Sequence, residues 1–431
     1  MAIISPFQAW RYASDQVPVA KVVTQPYDKI TPEMQERYYQ AGPYNLVRII
    51  LGRRPPGDRE QENVYARAAA SFSDWRGTGV LRQDSAPSLY RYSQTFTVPG
   101  SDTRAERQGF IALGRLEDYS AGVVFRHELT HSGPKADRLE LLRATRTHFE
   151  QIFMLYADSG EIEAQLHSAA APDIEVTDEY DVLHRVWKIS DPATIGAIQA
   201  QMRGQKLVIA DGHHRYETAL AYRDERRASA GSVGDAPYAF MMMTFFNLNS
   251  PGLVILPTHR VVYGLPSFSA AQLQAGAQQF FAVEEIDAGI NAQQATDRLR
   301  EAGQAGTALI AATADRIFLM HSPKALGTSR FAGLSLRQQS LDVVQLHKCL
   351  LEGALNISEE AIRNQQNISY HRDAADALAQ VRSGAAQAAF LMNPVRVEQV
   401  RDIALAGEVL PQKSTDFYPK LLSGLTIYAM D

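Results

Sequence analysis

Asp211-Gly212-His213-His214-Arg215 follows four apolar residues, Leu207 to Ala210, and leads into Tyr216-Glu217-Thr218-Ala219-Leu220. The apolar run predicts a buried strand, Asp-Gly a sharp turn, and residues 214 to about 228 a helix. A helix start carries backbone N–H groups without intrahelical partners and the positive end of the macrodipole. Such a start is a ready site for an anion, phosphate above all. Two imidazoles and a guanidinium are delivered to it, and Asp211 at the strand end could hold a Mg²⁺ that shares the same phosphate. One His or Arg after a turn is ordinarily a solvated cap. Two His, an Arg and an Asp within five residues favour chemistry.

Further residues could join this turn. His127-Glu128-Leu129-Thr130-His131 spells HExxH, which binds zinc only when both His lie one turn apart on a helix. Here 122–125 reads as a strand and Ser132-Gly133-Pro134 breaks the chain just downstream, so no helix is expected through the motif. His127 and Glu128 remain candidates for a site of another kind. Lys135, Asp137 and Arg138 fall in the first turn of a helix predicted over 134–149. Cations there oppose the macrodipole, and an anionic ligand would offset that cost. Lys413, Ser414 and Thr415 share a polar loop with Phe417 and Tyr418, where an anion contact and an ordinary loop are equally compatible with the residues. Neither a Walker loop nor a GxGxxG after a strand occurs.

The elements that must position these residues alternate between strand and helix. Strands are expected at 19–23, 44–51, 89–98, 109–116, 180–189, 207–211, 239–246 and 252–256, with helices at about 60–77, 134–149, 192–203 and 214–228. Beyond a boundary near Gly264-Leu265-Pro266, helices are expected at 269–280, 291–303, 341–352 and 358–364. Strands are expected there at 281–286, 307–312, 316–321, 388–392 and 421–430. The Ala/Gln-rich piece at 380–389 reads as helix. This order implies mixed α/β layers.

With 431 residues the chain has length for two or three domains, and 45% hydrophobic against 21% charged residues is an ordinary globular composition. A net charge of −5 argues against nucleic acid as a main partner. The lone cysteine, Cys349, excludes an intrachain disulfide and sits in an apolar helical pattern, as a buried structural thiol would. No basic, apolar leader and no run of roughly 20 apolar residues is visible, so a cytoplasmic protein without a membrane partner is expected.

Several blocks in one order carry a resemblance to a known family. They are Pro6-Phe7 with Trp10-Arg11, Pro26-Tyr27-Asp28, His127-Glu128 with Thr130, and Pro134-Lys135 with Asp137-Arg138-Leu139. They continue with Ala210-Asp211-Gly212-His213-His214-Arg215-Tyr216, Asn393-Pro394, Lys413-Ser414-Thr415 and Phe417-Tyr418-Pro419-Lys420. In these the chain resembles the microbial family called domain of unknown function 1015, almost end to end. The Asp-Gly-His-His-Arg block is also similar to the phosphate-binding turn of the ParB/sulfiredoxin superfamily, which includes free-serine kinases with an Asp-Gly-His-x-Arg turn.

The resemblance implies that Gly212, His213, His214 and Arg215 bind nucleotide phosphates and that Asp211 serves Mg²⁺ or the acceptor hydroxyl. With Lys135, Arg138 and Lys413 as added phosphate contacts, the catalytic set expected is Asp211, His214, Arg215 and Glu128. Tyr27, Asp28, His127, Ser414 and Thr415 are assigned to substrate binding. The expected fold is α/β with mixed sheets: residues 1–264 hold a ParB/sulfiredoxin-like nucleotide-binding core at about 180–230, and 265–431 form a second α/β unit. The expected activity is a kinase that moves phosphate from ATP or ADP to a small hydroxyl metabolite, L-serine first, with a homodimer as the candidate assembly. The competing expectations are a nucleotide-gated regulatory protein that binds CTP or ATP, and a metal-dependent hydrolase built on His127, His131 and the His213-His214 pair.

Overall fold

The computed structural model describes residues 1–430 apart from 60, 131, 168, 231–233 and 325–329. The chain is mixed α/β and divides into two compact units. The first comprises Met1–Arg126, Thr130–Leu253 and Pro419–Asp431, and the second His127–Leu129 with Val254–Tyr418. The sequence reading drew one boundary after residue 264; the chain instead changes unit after residue 253 and returns after Tyr418.

The first unit is built on a nine-stranded mixed sheet. Its order is Val124–Phe125, Leu207–Asp211, Ile152–Tyr156, Phe240–Asn247, Arg104–Arg115, Leu89–Thr97, Leu183–Ile189 and Ile174–Thr177, with Ile4–Ser5 paired to Arg104–Arg115. Leu207–Asp211 lies parallel to Val124–Phe125 and antiparallel to Ile152–Tyr156. Ile152–Tyr156 and Phe240–Asn247 are buried at every residue, which is why they read as unbroken apolar runs rather than alternating ones. Phe110, Met154, Ile209 and Phe245 meet in the core that this sheet builds. Helix Pro192–Met202 opens on Asp191, whose side chain accepts from Thr194 N. Helix Ser132–Thr145 packs against helix His213–Ala230.

In the first unit several segments depart from the sequence reading, among them the helix expected to reach residue 149, which ends at Thr145 before strand Thr147–His148. Tyr44 to Leu51, expected as a strand, contains the short helix Val47–Ile50, whose Asn45 side chain accepts from Val47 N at 3.0 Å. A short apolar run is buried equally well in either state, and here the backbone closes helical bonds from Ile50 N to the Leu46 carbonyl at 3.0 Å and from Leu51 N to the Val47 carbonyl at 2.9 Å. Val19–Lys21 is a single 3₁₀ turn after Pro18 rather than a strand. Of residues 421–430 only Tyr428–Ala429 pairs as a strand, against Thr147–His148, while Ser423 and Ile427 make isolated bridges to Thr24 and Trp10.

The second unit carries a six-stranded antiparallel sheet in the order Ala282–Ile286, Ile317–His321, Ala308–Ala312, Ala388–Met392, His259–Val262 and Ile368–His371. Helices Ala292–Gly303 and Ala374–Arg382 cover it with Ala295, Leu299, Leu378 and Val381. Val254–Leu256 and Asp416–Tyr418 form a separate antiparallel pair. The helix expected at 341–352 is an α-helical turn, Asp342–Gln345, followed by a π-helix, Leu346–Ala354, in which Cys349 is buried. Residues 380–389, expected as helix, are divided between the end of Ala374–Arg382 and the start of strand Ala388–Met392. Among the described residues no helix is long and apolar enough to cross a membrane.

Candidate anion-binding site

Strand Leu207–Asp211 ends in a register shift between Ile209 and Asp211, and helix His213–Ala230 begins two residues later. The connection is Gly212 alone, at φ +95°. A left-handed backbone suits glycine, and space demands it as well. A Cβ at 212 would lie 2.9 Å from Ile152 Cδ1 and 3.1 Å from Arg215 Nη2. The Gly212 carbonyl accepts the first helical bond from Tyr216 N at 2.9 Å. The turn therefore starts the helix directly at the strand end, while Arg215 folds back onto Asp211.

Arg215 is buried and bonded on two sides. Its Nη1 donates to the Gln151 carbonyl at 2.6 Å and its Nη2 to Asp211 Oδ2 at 3.0 Å. Asp211 Oδ1 accepts from Lys420 Nζ at 2.9 Å, so one carboxylate bridges two cations. Burial pushes the Asp211 carboxyl upward, but Lys420, Arg215 and Lys29 outweigh it and hold the group well below the usual carboxylate range. Asp211 is therefore a fixed anion at neutral pH. Burial would lower the Arg215 guanidinium, and Glu150, Asp211 and Asp28 raise it instead.

Glu150 lies on the other side of Arg215. Its Oε1 accepts from Tyr27 N at 3.0 Å and stands 4.0 Å from Arg215 Nη1, and its Oε2 is 3.9 Å from Arg138 Nη1. Burial raises its pKa against the pull of Arg215 and Arg138. Tyr27 begins a 3₁₀ turn, Tyr27–Lys29, and its ring lies 4.2 Å under the Arg138 guanidinium. Arg138, Glu150, Arg215, His148 and Thr218 line a cavity of about 50 Å³. A water needs roughly 10–15 Å³ measured in this way, so the cavity takes a few waters and no nucleotide.

The first unit thus brings together Asp211, Gly212, His213, His214, Arg215, Arg138, Tyr27 and Asp28 from the expected set. Lys135 is committed elsewhere: its Nζ donates to Glu217 at 2.9 Å, a carboxylate that also accepts from Thr130 Oγ1 at 2.6 Å and Arg126 at 3.2 Å. Arg138 likewise spends Nη1 on the Ile50 carbonyl at 2.6 Å and Nε on Asp137 at 2.8 Å.

The remaining expected residues form a cluster inside the second unit. His127 Nε2 and Thr415 Oγ1 are 2.8 Å apart, and Glu128 Oε1 accepts from Lys413 N at 3.1 Å. Ser414 Oγ donates to the Pro411 carbonyl at 2.5 Å, and Lys413 itself sits at φ +55°. Arg260, wholly buried, donates to the Lys413 carbonyl at 3.0 Å and the Gln412 carbonyl at 3.3 Å. Residues 126–130 form no helix, so the HExxH spacing does not place two imidazoles one turn apart; His131 lies outside the described residues.

Sequence reasoning missed Lys420, Glu150, Lys29 and Arg260. Lys420 ends the block Phe417-Tyr418-Pro419-Lys420, but its partner Asp211 lies 209 positions away, so its part in the site shows only in the fold. Glu150 carries no local signal, because only the fold brings it to Arg215.

The Mg²⁺ expected on Asp211 meets an occupied ligand. Both carboxylate oxygens receive cations, and no group of three or more His, Cys, Asp or Glu gathers among the described residues. A metal arriving on nucleotide phosphates needs one or two protein carboxylates, and here it would have to displace Lys420 or Arg215. As arranged, the residues do not fit a resident Mg²⁺.

The sequence matches, over residues 4–344, the family described as "Protein of unknown function (DUF1015)". No curated protein matches it. Among solved structures it is similar to a conserved hypothetical protein from Pyrococcus furiosus, at 11% identity over 72% of this chain and 92% of that one, with a TM-score of 0.35. It is also similar to a free serine kinase in complex with AMP (11% identity, 70% and 89% covered, TM-score 0.35). A third is SbnI with C-terminal truncation from Staphylococcus aureus (10% identity, 73% and 85% covered, TM-score 0.35).

Proposed function

The chain belongs to the DUF1015 family, and from that premise we propose that it is a nucleotide-dependent phosphotransferase acting on a small hydroxyl-bearing metabolite. The observation that carries this reading is the turn at Gly212, which sets a helix N-terminus beside Arg215 and the ionised Asp211. Phosphoryl transfer asks a protein mainly for positioning and for fixed positive charge around the moving group. Backbone N–H groups of the first helical turn, with His213 and His214, would take the phosphate oxygens. Arg215, braced by Gln151 and Asp211, would face the charge that spreads over the transferring group.

In the reaction the acceptor oxygen bonds to the terminal phosphorus of ATP or ADP as the bond to the bridging oxygen breaks. The shorter nucleotide leaves with that oxygen, and the hydroxyl proton passes to a base. Asp211 is ill suited to be that base, because a carboxyl held so low is a poor proton acceptor. Its role in this reading is to hold its two cations in place. The likeness of the Asp-Gly-His-His-Arg turn to that of free-serine kinases makes L-serine the first acceptor to try.

The test is to incubate the whole chain with ATP or ADP, with and without Mg²⁺, and a pool of hydroxy-amino acids and small polyols, and to seek phosphorylated products by mass spectrometry. A new phosphomonoester that disappears in Arg215→Ala, with an unchanged melting profile, supports the reading. Nucleotide bound with no acceptor phosphorylated overturns it in favour of a nucleotide-gated protein, with CTP tried next.

A further inference from the structure

The chain spends unusual resources on the segment that carries Lys420. Arg107 is fully buried, its guanidinium 4.5 Å from the Phe153 ring and 4.6 Å from the Phe246 ring. From there it donates to the Pro419 carbonyl at 2.6 Å and to the Gln94 side-chain oxygen. Gln94, also buried, returns its Nε2 to the Lys420 carbonyl at 2.8 Å. Two consecutive carbonyls are thus clamped, and the side chain between them reaches Asp211 Oδ1 at 2.9 Å.

A buried guanidinium costs several kcal/mol of solvation, and burial lowers this one to about 9. Its hydrogen bonds and the two flanking rings offset that cost, and they fix the backbone on both sides of the Lys420 side chain. Asp211 shares its two oxygens between Lys420 and Arg215, so both cations stand at one carboxylate, next to the helix start.

We propose that Lys420 is a phosphate-binding residue of the Gly212 turn, where it supplies the second fixed positive charge beside Arg215, and that Arg107 and Gln94 are the positioning residues that hold it there. This rests on the reading of the turn as a phosphate site. Lys420 stands where a resident metal's charge would otherwise be needed, which agrees with the poor fit of Mg²⁺ to Asp211. It also takes the part that sequence had given to Lys413 and Lys135. The ligand class is a di- or triphosphate group. The other charges that face this one are Lys29, which helps to hold down Asp211, and Asp28 and Glu150, which act on Arg215.

Calorimetric titration of the whole chain with ADP and with inorganic pyrophosphate tests the proposal, using wild type, Arg215→Ala, Lys420→Met, Lys420→Arg, Arg107→Met, Arg107→Lys and Gln94→Leu. Lys420→Met should weaken both ligands by about tenfold or more, flatten the salt dependence of binding, and be partly rescued by Lys420→Arg. Arg107→Met should weaken both several-fold, with Arg107→Lys restoring affinity. If Arg107→Met fails to melt cooperatively, Gln94→Leu carries the same expectation. Lys420→Met with wild-type affinity and a lower melting temperature overturns the proposal, because the pair is then only structural, while loss of binding in Arg215→Ala would leave the phosphate site standing. A wild-type chain that binds neither ligand overturns the phosphate reading itself and this proposal with it.

Discussion

At the scale of single residues, the turn works because one position tolerates no side chain. Gly212 carries a left-handed backbone and lies where a Cβ would press on Ile152 and on the guanidinium of Arg215. Gly212→Ala is therefore expected to cost about 1–3 kcal/mol of stability from backbone strain. It should also shift Arg215 off Asp211, so phosphate affinity should fall nearly as far as in Arg215→Ala. Thermal unfolding and pyrophosphate titration check both halves; an Ala variant with wild-type affinity would show that Arg215 need not sit where it does. Residues of this kind were legible beforehand, because Asp-Gly followed by His-His-Arg concentrates its chemistry in five consecutive positions. Glu150 and Lys420 were not, since their meaning comes from Arg215 and Asp211, 65 and 209 positions away in the chain.

At the scale of elements, periodicity served wherever a segment was long or flanked by caps. Helices Pro192–Met202 and Ala292–Gly303 fall where their caps and apolar spacing place them, and Asn291 even forms a capping box with Gln294. Ile152–Tyr156 had no such punctuation and went unread, although it is the strand next to the Asp211 turn. The short helical turn Asp342–Gln345 shows what a sequence pattern cannot price. Burial pushes the Asp342 carboxyl up to about 7, against hydrogen bonds from Thr307, the Ala308 N–H and Asn393. A folded pKa above the unfolded 3.8 means stability that is complete below 3.8 and drains away as pH rises to about 7. The drain is on the order of 4 kcal/mol. Asp342→Asn keeps an acceptor and cannot ionise, so its melting temperature relative to wild type should climb between pH 5 and pH 8. A gap that stays constant with pH would mean that the Asp342 carboxyl titrates normally.

At the scale of the whole molecule, mild acid should lower the stability of the folded chain. Three of the buried histidines, one in the first unit and two in the second, are held below their ordinary pKa. Burial lowers His148 in the first unit to about 4. In the second, burial with Arg260 and His371 beside it lowers His259 to about 4, against Asp373. Burial, Arg260 and Lys348 hold His347 well below its ordinary value. Each is neutral when folded and takes a proton when unfolded, so its contribution is complete above about 6.5 and is lost as pH falls toward 4. Between pH 6.5 and pH 5 His148 and His259 each lose about 2 kcal/mol. Asp342 works the other way over the same interval, and Glu150, raised by burial, does so in the first unit. With three imidazoles set against two carboxyls, the melting temperature is expected to fall from pH 7.5 to pH 5. His148→Gln cannot take the proton and should remove about 2 kcal/mol of that pH dependence, even though the ring stacked against Tyr428 is lost. Calorimetric scans of the wild type and this variant at the two pH values decide the matter. Equal stability at both would mean that water reaches these rings when the chain is folded, and an unchanged slope in His148→Gln would place the acid sensitivity in the second unit alone.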